Sequence, residues 1–265
     1  MSLLRAAAAA LLCAGLCLMA ASAHRHRAAD LAPDLATIQP ADVLFFGDSQ
    51  NLGYFGAQLY RSISAETDPK TGRALGVWGY WVCGSDVDDW LTGSKTYCGM
   101  RVCAPPADRC IEDYGPQDHA DDVRYPAITA YAARVHPRVT LIVLGSNLLT
   151  WKMGEFRGAY DSYMASAGRM ADAIAKGGSQ CIWIGPPQIA LHAKPIEVYE
   201  RYVADLRRAV TAHGCAFIDS NPLSDRKFLL RSDPEGIHYD GTGERAWEHG
   251  VWAALRPLLQ ARLAH

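Results

Sequence analysis

Val43-Leu44-Phe45-Phe46-Gly47-Asp48-Ser49 is the stretch on which the reading of this chain turns. Four consecutive apolar residues run into a small polar tripeptide. A strand with one wet face alternates apolar and polar residues, whereas an unbroken apolar run fits a strand buried on both faces of a parallel sheet. Immediately after it, Leu52, Phe55, Gly56, Leu59 and Ile63 recur at helical spacing. Gly47-Asp48-Ser49 therefore joins a buried strand to an amphipathic helix.

The same unit repeats along the chain. Val77 to Val82 reads as a second strand ending at Cys83-Gly84, and Val139 to Leu144 as a third ending at Gly145-Ser146-Asn147. Cys181-Ile182-Trp183-Ile184 and Cys215-Ala216-Phe217-Ile218 are the fourth and fifth. Helical patterns cover residues 156–176, 195–212 and 242–263, the first two closed by Gly177-Gly178 and Gly214. Alternating apolar strands and helices predict an α/β doubly wound fold, a five-stranded parallel sheet covered on both faces. One domain over 41–265 is the simplest count. Residues 24–40 read as a loose N-terminal arm, and 93–125 as a loop insertion with cysteines, prolines and charges but no period.

The first 23 residues form a secretion signal. Arg5 precedes an apolar run from Ala6 to Ala21, and Ala21-Ser22-Ala23 supplies small residues for cleavage. His24-Arg25-His26-Arg27 follows at once, which suits a cleaved signal better than a membrane anchor, and the protein is expected in the periplasm or outside the cell. Beyond Cys13 and Cys17, the cysteines are Cys83, Cys98, Cys103, Cys110, Cys181 and Cys215. An even number in an exported chain predicts disulfides, and the spacings are not those of a zinc ribbon. Cys181 and Cys215 each open a strand after a glycine turn. If those strands are neighbours, the two lie within bonding reach. The other four then pair among themselves in one of three ways, holding the insertion near Gly84.

Composition narrows the function. With 26 basic and 28 acidic side chains the formal net charge is -2, and 49% of residues are hydrophobic. No basic excess is present to neutralise phosphates, so nucleic acid is not an expected partner. No glycine-rich phosphate loop occurs, and nothing implies a metal, nucleotide or flavin cofactor.

Ligands of open parallel sheets bind at the carboxyl ends of the strands. Three such ends carry small polar residues here, and Asp233-Pro234-Glu235-Gly236-Ile237-His238 precedes the last helix. A serine on a strand-to-helix turn becomes a nucleophile when a histidine reaches it and a carboxylate orients the imidazole. Gly84 offers a backbone N–H and Asn147 an amide to an oxyanion.

These blocks, in this order, resemble the SGNH/GDSL hydrolase family: Gly47-Asp48-Ser49, Gly84 in Cys-Gly-Ser-Asp, Gly145-Ser146-Asn147, and Glu235-Gly236-Ile237-His238. The resemblance spans residues 43–250. It implies a flavodoxin-like sheet, Ser49 as nucleophile, His238 as base, and an oxyanion hole made by Ser49 N–H, Gly84 N–H and Asn147. The family's third block usually continues with Asp, where Leu148 stands here. Its fourth is usually Asp-x-x-His, where Glu235 occupies the Asp place. Glu235 is therefore ranked first as the acid, and Asp233 second, because Pro234 restrains Asp233 towards an extended conformation.

Asp86, Asp88 and Asp89 read as a solvated acidic turn rather than a calcium loop. Trp78 and Tyr80 are expected to fill one face of the sheet and Trp81 the other. Trp90 is the candidate for a sugar platform at the rim of the site. The expected activity is hydrolysis of small acyl esters, O-acetyl on a carbohydrate above all, through a Ser49 acyl-enzyme. The competing readings are a polysaccharide O-acyltransferase with the same site, a lipolytic esterase or thioesterase, and a non-catalytic glycan-binding module.

Overall fold

The computed structural model describes residues 38–95, 98–105, 109–113, 124–147, 157–190, 196–233 and 236–265. The expected signal segment lies outside them. In chain order the elements are β1 (Val43–Gly47), α1 (Tyr54–Ser64), β2 (Val77–Val82), α2 (Val87–Thr92), β3 (Ser94–Lys95), β4 (Met100–Ala104), β5 (Arg109–Asp113), β6 (Arg124–Tyr125) and α3 (Ile128–Val135). They continue with β7 (Val139–Val143), α4 (Arg157–Lys176), β8 (Gln180–Ile184), α5 (Ile196–Thr211), β9 (Ala216–Ile218) and α6 (Gly241–Leu263).

The main sheet runs β5-β4-β2-β1-β7-β8-β9. The five expected strands are its parallel part, with β1 between β2 and β7. That is the doubly wound order in which the first strand lies inside and successive crossovers leave it in opposite directions. The sheet has seven strands instead of five, because residues 93–125 are not all loop. They contribute an antiparallel β4–β5 hairpin that extends the sheet beyond β2, and β3 and β6, which pair as a small separate ladder. The sequence hides these strands because Met100-Arg101-Val102-Cys103-Ala104 breaks its apolar run with a charge, and a two-residue strand has no period.

Alternation along β1 divides the core. Leu44 and Phe46 face a layer that includes Trp90, Tyr131, Tyr163, Tyr199 and Leu206, from α2, α3, α4 and α5. Val43 and Phe45 face Phe55, Leu59, Trp247, Val251 and Leu255, from α1 and α6. Trp78 and Tyr80 lie on the first side and Trp81 on the second, as the alternation of β2 requires. Phe55 and Trp247 stack with ring centroids 3.6 Å apart, which packs α1 against α6. Ile38 is buried in the first layer and Gln39 accepts a hydrogen bond from Trp78 Nε1 at 2.8 Å. The end of the expected loose arm is thus seated on the sheet.

Three disulfides are formed. Cys181–Cys215 joins the entrances of the neighbouring strands β8 and β9. Cys103–Cys110 links directly opposed positions of the β4–β5 hairpin, and Cys83–Cys98 ties the exit of β2 to the segment entering β4. Cys181–Cys215 closes a 34-residue separation, for which chain entropy gives about 4 kcal/mol of stabilisation. Replacing both cysteines with alanine should lower the unfolding free energy by about 2–4 kcal/mol in denaturant titration under non-reducing conditions. An unchanged midpoint would show that the bond is not formed.

Candidate active site

Gly47 pairs with Trp81 on one side and Val143 on the other, so β1, β2 and β7 end at one level. The three polar turns leave from that edge. After β1, Asp48 caps a short 3₁₀ turn over Ser49–Asn51, its Oδ1 accepting from Gln50 N at 3.0 Å. Asn51, fully buried, donates through Nδ2 to the carbonyls of Asp48 (3.3 Å) and Val143 (3.5 Å), tying the turn to the next strand. Ser49 is held at the start of this turn, partly exposed.

His238 reaches Ser49 from a different part of the chain. Leu229 and Tyr239 form an antiparallel bridge, and Leu230 N donates to His238 O at 2.8 Å, so the histidine sits on a narrow hairpin. Its Nε2 is 3.1 Å from Ser49 Oγ. Gln50 donates through Nε2 to Ile237 O at 2.7 Å and locks the hairpin to the serine turn. The sequence offered no sign of this contact, because its partners are 187 residues apart.

Of the two candidate carboxylates, Asp233 is the one the described residues place beside His238. Asp233 Oδ2 lies 3.0 Å from His238 Nδ1 and also accepts from Ile237 N (2.9 Å) and His238 N (2.8 Å). Glu235 lies outside the described residues. Asp233 is therefore not carried away from the histidine, as the expected extended conformation would have it. Gly236 adopts φ +65°, open to glycine but costly for other residues, and its N–H donates to Asp233 O at 3.2 Å. This turn lays the Asp233 side chain over the next two amides and the imidazole.

The remaining candidates divide. Among the described residues, the backbone N–H groups of Ser49 and Gly84 donate to no protein acceptor, and both follow strand ends at the sheet edge. Asn147 is brought to the same edge, its Nδ2 donating to Ser85 O at 2.7 Å. Trp90 is not at the rim: it is fully buried, packed on Phe46 and Tyr125, with Nε1 donating to Ser85 Oγ at 3.0 Å. The helical register of α2 turns it inward, where it supports the Gly84-Ser85 turn from beneath. The acidic turn has a structural use too, since Asp86 and Asp89 form a reciprocal capping box at the start of α2. Asp240 caps α6 through Thr242 N and Gly243 N, both at 2.8 Å. Among the described residues no group of three or more His, Cys, Asp or Glu side chains is arranged to hold a metal ion.

No family model matches the chain, and none of the curated proteins compared with it does. Solved structures do. TesA superimposes with a TM-score of 0.51 at 15% identity, over 82% of this chain and 99% of that one. A protein of Bacteroides fragilis NCTC 9343 assigned as an acylhydrolase gives 0.51 at 14%, over 86% and 95%. A peptidoglycan O-acetylesterase gives 0.50 at 10%, over 89% and 96%. The fold is the one the SGNH/GDSL resemblance implies.

Burial dominates Asp48 and raises its carboxyl to about 7, against the opposing pull of the nearby Gln50, Ser146 and Gly145 amides. The unfolded chain ionises this group near 3.8. Between those values the folded protein holds the extra proton, so its stability falls as pH rises through the window. Asp48→Asn imitates the protonated acid. Its denaturation midpoint should change less between pH 4.5 and pH 8 than that of the wild type, whereas equal changes would mean that Asp48 ionises normally.

Proposed function

We propose that this chain is an exported serine esterase that cleaves small acyl esters through a Ser49 acyl-enzyme. The observation that carries this reading is the hydrogen-bonded series Ser49 Oγ–His238 Nε2–Asp233, at 3.1 and 3.0 Å. In this mechanism His238 removes the Ser49 proton as Oγ attacks the carbonyl carbon. Asp233 holds the Nδ1–H tautomer and stabilises the imidazolium without taking its proton. The oxyanion forms against the N–H groups of Ser49 and Gly84 and the amide of Asn147, the two backbone donors having no protein acceptor among the described residues. His238 then protonates the leaving alcohol, and water repeats the cycle to release the acid and restore Ser49.

Export rests on the N-terminal signal pattern and on the three disulfides. For the substrate we favour a small O-acyl ester on a carbohydrate, the class named for one protein that shares the fold. With Trp90 in the core, the side chains suited to meeting that substrate are Tyr54 and Leu230, the exposed large apolar residues among those described. Tyr54 follows the serine turn and Leu230 lies beside His238 on its hairpin.

Ser49→Ala should lower turnover of an aryl acetate by on the order of a million-fold and abolish fluorophosphonate labelling. Asp233→Asn should cost on the order of ten-thousand-fold, while Glu235→Gln stays near wild type. A severe Glu235→Gln defect beside a mild Asp233→Asn one would return the acid role to Glu235. Incubation with an acetylated donor, with and without oligosaccharide acceptors, separates the activities by product: free acetate supports the esterase, and acetylated oligosaccharide the transferase.

A further inference from the structure

The β4–β5 hairpin, held by two disulfides, has no part in the reaction described above. It does deliver one charged side chain to the site's scaffold. Arg101, the second residue of β4 and opposite Trp81 of β2, is only 6% exposed. Its guanidinium lies 5.9 Å from the Trp81 ring centroid, and its Nη1 donates to Gly53 O at 3.3 Å. Gly53 immediately precedes α1, four residues after Ser49.

A carboxylate holds the same segment from the opposite side. Glu244, in the first turn of α6 and six residues after His238, accepts from the backbone N–H groups of Tyr54 and Phe55, the latter at 3.2 Å. These are first-turn donors of α1 with no partner inside their helix, and an anion there also meets the positive end of the helix dipole. The fit is close: a Cβ at residue 53 would lie 2.2 Å from Glu244 Oε1, so a side chain there would push the carboxylate out of its place. Arg101 and His238 both lie near enough to Glu244 to favour its charged form against the cost of burial.

A cation from the hairpin and an anion from α6 thus grip the carbonyl and amide sides of one short segment. That segment directly follows the turn carrying Ser49, and the anion's helix directly follows the hairpin carrying His238. We propose that Arg101 and Glu244 are positioning residues for the Ser49–His238 pair, so that the disulfide-held hairpin braces the reacting geometry. This rests on the catalytic reading of Ser49 and His238. Misplacing reacting groups by about 1 Å costs on the order of a hundred-fold in rate, the effect such a brace would prevent.

The test uses the full-length protein with Arg101→Met, Arg101→Lys, Glu244→Gln and the Arg101→Met/Glu244→Gln pair. Aryl acetate kinetics, fluorophosphonate labelling, thermal unfolding and hydrogen exchange over residues 50–58 are read for each. Arg101→Met should lower kcat by about ten- to a hundred-fold with KM within about twofold, and slow labelling to match. Exchange should quicken at residues 53–57 while β7 and β8 keep their protection. Arg101→Lys should restore part of kcat, and the double variant should lose less than the product of the single losses. Unchanged kcat and exchange in both Arg101→Met and Glu244→Gln would overturn the proposal, as would a loss of activity that merely follows the unfolded fraction. A wild-type protein inert to esters and fluorophosphonate alike would overturn the esterase reading and this one together. An active wild type with unaffected variants would overturn this one alone.

Discussion

Parallel pairing of β1 with both β2 and β7, in a register that opposes Gly47 to Trp81 and Val143, is the constraint on which the site depends. A buried strand must satisfy its backbone polar groups through its neighbours, and doing so fixes where each strand ends relative to the next. Three chain segments therefore leave the sheet at one edge, from the same level. Among the described residues, the N–H groups of Ser49 and Gly84 leave the ladder there without protein acceptors. In the proposed reaction these donors, aimed by the sheet, would meet an oxyanion without rearrangement.

The histidine comes from outside this frame and has to be brought to it. Three interactions do so: the bridge between Leu229 and Tyr239, the Asp233 carboxylate gathering two amides and the imidazole, and Gln50 reaching Ile237 O. The first two organise the hairpin and the third attaches it to the serine turn. Asp233 Oδ2 therefore serves as both a backbone clasp and a histidine partner, which couples the shape of the hairpin to the orientation of its imidazole.

Aromatic residues near a site invite a binding interpretation, and Trp90 shows why burial has to decide it. Its indole lies between Phe46, Tyr125 and Tyr131 and supports Ser85, so its effect on the site passes through the turn that presents Gly84. The cysteine-containing insertion illustrates the reverse. It has no apolar period, yet it adds two strands to the sheet and sets Arg101 against Gly53.

The sequence by itself determined the five parallel strands, the helices packed on both faces, Ser49 on its turn, and the pairing of Cys181 with Cys215. Each rests on local information: unbroken apolar runs, helical spacing, and cysteines opening strands that a doubly wound order makes neighbours. Only the tertiary structure decided that Asp233 faces His238. The motif's spacing favoured Glu235, but a glycine turn at Gly236 and two backbone amides set the carboxylate's direction. The same holds for Gln50, Arg101 and Glu244, whose partners are between 48 and 190 residues away. Contacts across such distances leave no period or spacing in the chain. They exist because β1, β4, α1 and α6 meet beside one edge of a sheet, and hydrophobic burial, which is non-directional, had first to bring them there.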